Sequence, residues 1–116
     1  MLKNFKITTA MIFALVVAGF SSSASAGVEG DTITLGSAIS LSGKYSTNGL
    51  HTQRGYDFAV DRINSRGGVT VGGKSYKLAI KYYDDESTPA RAAQLVERLI
   101  QQDGVQFMLG PYGSGL

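Results

Sequence analysis

The sequence predicts an α/β fold built on a parallel sheet. Three observations carry that expectation. From about residue 33 onward, strand-like and helix-like stretches alternate in the order β-α-β-α-β. Each main strand runs into a turn rich in glycine, serine or aspartate. Both helical stretches repeat their apolar residues at a spacing of three and four.

Residues 1–26 stand apart from that pattern. Lys3 and Lys6 give a positive start, and Ile7 to Phe20 is apolar and uncharged. Ser21 to Ala26 is small and polar, with Ala24-Ser25-Ala26 fitting a small-x-small cleavage site. The reading is a secretory signal peptide cut after Ala26. A membrane anchor is the alternative, but the run is short of the roughly 20 residues a span needs. Removing Lys3 and Lys6 leaves nine basic against nine acidic residues, so residues 27–116 carry no formal net charge. No basic stripe remains for nucleic acid or anionic lipid. The chain has no cysteine. That excludes disulfides, thiol chemistry, Cys-based zinc sites and the lipid attachment of a lipoprotein. The expected location is the periplasm, free in solution.

Gly27 to Asp31 reads as a polar lead-in. In the first main strand Ile33, Leu35, Ser37 and Ile39 alternate with Thr34, Gly36, Ala38 and Ser40. One face is mostly large and apolar and the other small, as in a strand covered on both sides with a helix close by. Ser42-Gly43 ends it. Ser46, Thr47 or Asn48 is expected to cap the helix that follows, over about Gly49 to Arg66. Its stripe is Tyr56, Ala59, Val60 and Ile63, and Gly67-Gly68 stops it. Val69 to Ser75 reads as a hairpin turning at Gly72-Gly73. Tyr76 to Tyr83 is the second main strand, closed by Asp84-Asp85-Glu86. Thr88 then fits an N-cap and Pro89 the first helical position. The second helix runs to about Gln102, with Ala92, Leu95, Val96 and Leu99 as its stripe, and Gly104 stops it. Val105 to Leu109 is the third strand, ending in Gly110-Pro111-Tyr112-Gly113-Ser114-Gly115.

Right-handed crossovers place the three main strands in one sheet of order 2-1-3. The crevice then opens between the carboxyl ends of the first and third strands. Two loops far apart in sequence, 42–49 and 110–116, are thereby expected at one mouth. Both offer backbone N–H groups and hydroxyls, and a helix starts directly after the first.

The ordered set Ile39-Ser40-Leu41-Ser42-Gly43, Gly49, Gly55, Ala59, Ile63-Asn64 and Gly67-Gly68 resembles a known family. So do Tyr83-Asp84-Asp85, Pro89, Ala92-Ala93 and Leu109-Gly110-Pro111 with Ser114. The family is the type I periplasmic binding proteins of branched-chain amino acid ABC transporters. The resemblance implies two α/β lobes joined by a hinge, with the ligand between them. Residues 27–116 would be the first part of lobe 1 and the sequence a fragment, not competent alone. It implies that Ser114 donates its hydroxyl to the ligand carboxylate, with Tyr112 and Gly113 as backbone contacts. Asn48 stands where some members place an aromatic ligand contact, and Tyr45 and Ser42 lie beside it. The implied partners are a small amino acid and an inner-membrane permease. The chain is expected to be a monomer that binds no nucleic acid.

Competing chemistries find little in the residues. Asp84-Asp85-Glu86 suggests a metal, but three adjacent carboxylates in an extended segment do not face one ion. Support of the next helix through its dipole is the expected role. His51 stands among polar residues with no serine or acid placed beside it. Gly36 to Lys44 is a poor phosphate loop, with Ala38 and Tyr45 at key positions. No catalytic residue, metal or cofactor is expected. A secreted sensor or receptor domain on the same lobe is the alternative to a transport protein.

Overall fold

The computed structural model describes residues 27–116, and the expected signal peptide lies outside the described residues. In chain order the elements are β1 (Val28–Glu29), β2 (Thr32–Ile39), α1 (Ser46–Ser65), β3 (Val69–Val71), β4 (Lys74–Asp84), α2 (Pro89–Gln101) and β5 (Phe107–Met108). β2 pairs in parallel with β4 from Thr32↔Lys77 to Ile39↔Asp84. On its other edge it pairs in parallel with β5, Leu35 opposite Phe107. The three main strands therefore stand in the expected order, second-first-third.

Two features were not foreseen. The lead-in forms β1, antiparallel to β2 with Val28 opposite Ile33. It lies end to end with β5 on the same edge. The hairpin is also continuous with the second main strand, because β4 begins at Lys74. Its turn is as expected: Gly72 and Gly73 have φ of 58° and 80°, the left-handed pair a two-residue turn requires.

The helices cover opposite faces. On one face a Cβ at Gly36 would lie 2.9 Å from Met108 Sδ and Val105 Cγ1, and 3.3 Å from Leu99 of α2. The small face of β2 is thus what lets α2 approach. Ala38, Ala92, Leu95, Leu99 and Val105 are buried there and form most of the core. On the other face Tyr82 of β4 reaches α1, its hydroxyl 2.8 Å from Asp57 Oδ1. This side is thinner. Gly49 is the buried residue of α1, Tyr56, Val60 and Ile63 are half-buried, and Ala59 is exposed. The expected apolar stripe is covered only in part because α1 packs over β4, which is flanked beyond by nothing wider than three-residue β3.

Both helices stop where glycine permits. Gly68 takes φ 88°, and its N–H donates to Ile63 O at 3.0 Å. Any Cβ there would run into the Tyr76 carbonyl. Asn64, one turn earlier, uses its side chain as a strand would. Its Nδ2 donates to Leu78 O and its Oδ1 accepts from Leu78 N, both at 2.8 Å, on the outer edge of β4. Among the described residues no helix is long and apolar enough to cross a membrane.

Candidate functional site

The mouth forms where β2 and β5 end. Both strands run the same way on the sheet, so the loops that follow them leave from one rim. Two contacts show how close they come. The Tyr45 and Tyr112 ring centroids are 6.2 Å apart, tilted by 51°. The Tyr56 hydroxyl of α1 donates to Gly110 O at 3.0 Å. Lys44 Nζ lies 4.6 Å from the Tyr45 ring centroid, which adds a cation to the aromatic pair.

The six residues singled out in the sequence are all at this rim, in different states. Ser42 is exposed, but its main chain is engaged: its N–H donates to Asp84 Oδ1 at 3.1 Å and its carbonyl accepts from Ser87 Oγ at 2.6 Å. Tyr45 is half-buried against Tyr112, which is 46% exposed. Gly113 is half-buried, and its carbonyl accepts from the Leu116 N–H at 3.2 Å. Asn48 and Ser114 are exposed, and their side chains make no hydrogen bond among the described residues.

The start of α1 differs from the expectation. The helix begins at Ser46, and its N-cap residue is Tyr45, which makes no side-chain cap. Ser46, Thr47 and Asn48 lie inside the first turn and cannot cap it. Ser46 N–H donates back to Gly43 O at 3.2 Å. The Thr47 and Asn48 N–H groups have no partner among the described residues. They are two of the unpaired donors every helix start carries, and here they lie at the mouth.

The acidic run also acts differently. No acidic residue lies in the first turn of α2, so Asp84-Asp85-Glu86 does not serve that helix's dipole. Asp84 Oδ1 accepts from the N–H groups of Leu41 (3.0 Å), Ser42 (3.1 Å) and Glu86 (2.9 Å). Burial works to raise the Asp84 pKa, but the Ser42 hydroxyl and these N–H groups outweigh it and hold the carboxyl below its ordinary range. Buried Asp85 accepts from Ser40 Oγ at 2.7 Å and from Ser87 N at 2.8 Å. The carboxylates turn back onto the mouth loop. A signal for this was present: aspartates that accept the N–H two residues on make Asx turns, and Asp84-Asp85-Glu86-Ser87 holds two in succession. Among the described residues no group of three or more acidic or histidine side chains is placed to hold a metal ion.

The family described as "Periplasmic binding protein" matches residues 32–116. The chain belongs to that family. A Leu/Ile/Val-binding protein homolog of Brucella melitensis is 29% identical over 97% of this chain and 28% of its own. The Leu/Ile/Val-binding protein BraC3 of Rhizobium johnstonii is 30% identical over 72% of this chain and 22% of its own. Among solved structures, the substrate-binding protein of a Streptococcus pneumoniae branched-chain amino acid transporter, bound to isoleucine, has a TM-score of 0.64. It is 34% identical over 72% of this chain and 23% of its own. A type 1 periplasmic binding protein of Bordetella pertussis has a TM-score of 0.61 at 33% identity, over 73% of this chain and 22% of its own. The chain thus spans about a quarter of the length of the relatives it matches.

Proposed function

We propose that this chain is part of the substrate-binding component of an ABC transporter for amino acids, branched-chain or related. Residues 27–116 form the first part of its N-terminal lobe, preceded by a secretory signal peptide. The protein works in the periplasm as a monomer and delivers its ligand to an inner-membrane permease. Its action is capture and release, with no covalent step.

One observation carries the reading: loops 42–49 and 110–116 of a periplasmic binding protein meet at one rim, Tyr45 against Tyr112 at 6.2 Å. The Ser114 hydroxyl and the Gly113 and Tyr112 main chain take the ligand carboxylate. Asn48, Tyr45 and Ser42 form the neighbouring wall. The unpaired N–H groups of Thr47 and Asn48 add donors on the same side, which suits an anionic group. Affinity comes from these hydrogen bonds and from closure of a facing lobe. These residues supply one wall alone, so they are not competent for tight binding by themselves.

A thermal-shift screen tests this on the protein at the full length of its relatives. Leucine, isoleucine or valine should raise the melting temperature, and Ser114→Ala should weaken the effect. A flat response across a broad amino acid panel would remove the ligand class.

A further inference from the structure

The turn after β4 carries two consecutive residues in the left-handed region, neither of them glycine: Glu86 at φ 54° and Ser87 at φ 60°. Side chains other than glycine, asparagine and aspartate rarely stay there unless their surroundings hold them. The surroundings do so here. Asp84 Oδ1 accepts the Glu86 N–H and Asp85 Oδ1 accepts the Ser87 N–H. Glycine at 87 would relieve the backbone, so the serine stands there for its side chain. Ser87 Oγ donates to Ser42 O at 2.6 Å and accepts from Tyr45 N at 3.1 Å. One hydroxyl therefore bridges the two ends of the bend at Gly43-Lys44. That bend is wrapped tightly around it: a Cβ on Gly43, whose φ is 78°, would lie 2.7 Å from Ser87 Oγ. Ser87 is 5% exposed, so water does not compete for these bonds.

We propose that Ser87, held by the Asp84-Asp85 turn, is the positioning residue that fixes the mouth loop 41–45 and with it the direction of Tyr45. It touches no ligand. It acts by keeping Tyr45 opposite Tyr112, so its link to binding rests on the function proposed above. The loop supplies its own glycine at the bend, but the bend closes on a residue more than forty positions later.

Amide hydrogen exchange in the intact protein tests it with two variants. Ser87→Gly keeps the turn and removes the hydroxyl. Glu86→Gly eases the same backbone and leaves the hydroxyl in place. In Ser87→Gly the Tyr45 amide should exchange about five- to tenfold faster, the equivalent of one lost hydrogen bond. The Lys77 and Leu109 amides, which bond to Asp31 O and Gly36 O in the sheet, should keep their protection. Glu86→Gly should change none of the three. Unchanged Tyr45 exchange in Ser87→Gly would overturn the proposal. So would equal acceleration in Glu86→Gly, or a matching loss at Lys77 and Leu109, which would make Ser87 a support of the whole fold. Leucine affinity separates the two readings. A faster Tyr45 amide with wild-type affinity would take this loop out of the binding wall and leave Ser87 as its anchor. A wild-type protein that binds no amino acid would end the functional reading, with the exchange result still deciding the role of Ser87.

Discussion

The phenol of Tyr56 donates to the main-chain oxygen of Gly110 at 3.0 Å, tying the middle of α1 to the loop after β5. The bond is exposed, so its net worth is modest. Tyr56→Phe should lower stability by about 0.5–1.5 kcal/mol, toward the smaller figure. The informative result is local. Proteolysis at 110–116 should speed up in the variant while the rest of the chain stays resistant.

Two glycines of α1 should respond in opposite directions to the same change. A Cβ on Gly49 would run into the Ser40 carbonyl, which is main chain and cannot step aside. Gly49→Ala should cost at least about 1–3 kcal/mol, the usual penalty of overpacking. A Cβ on Gly55 meets nothing within 4 Å. Gly55→Ala should therefore stabilise by about 0.5–1 kcal/mol through helix propensity alone. Urea titrations of the two variants side by side check the sign of each.

Asn64 makes a donor and an acceptor bond to the same strand residue, Leu78, both at 2.8 Å. Asn64→Asp keeps the acceptor but sets a carboxylate oxygen against the Leu78 carbonyl. The expected loss is about 1–3 kcal/mol. A loss that shrinks at acid pH, where the new carboxyl protonates and can donate again, would identify the cause.

Asp84 carries a pH prediction. Its carboxyl is held below the ordinary value of 3.8, because the hydrogen bonds from loop 41–42 and Glu86 outweigh its burial. A group depressed on folding stabilises the fold above its unfolded pKa, and that contribution fades as pH falls through the folded value. Stability should thus drop as pH is lowered past 3.8. In Asp84→Asn the drop should be shallower. Denaturant midpoints of the two proteins along an acid series measure the difference.

The order of strands and helices was legible because it rests on local signals. Alternation from Ile33 to Ser40, the period of Ala92, Leu95 and Leu99, and the stops at Gly68 and Gly104 each report on their own neighbourhood. So did the narrow face at Gly36 and Ala38, which the helix carrying Leu99 uses. What was misread depends on partners distant in sequence. The helix after the mouth loop looked capped by Ser46, Thr47 or Asn48, yet Tyr45 takes the cap position, its N–H donating to Ser87 Oγ. Asp84 and Asp85 looked like company for the next helix, yet Leu41, Ser42 and Ser40 claim them. The rim itself was placed by topology; the contacts that lock it were not.

A sheet edge will ordinarily take a new strand at any height. The edge beside β2 is partly occupied, since β1 fills it up to the bond from Thr34 N to Gly27 O at 2.9 Å. Gly27 abuts the next strand so closely that a Cβ would lie 3.3 Å from Gln106 N. The two residues of β1 and the two of β5 thus share one edge of β2, the first pair at its foot and the second nearer the rim.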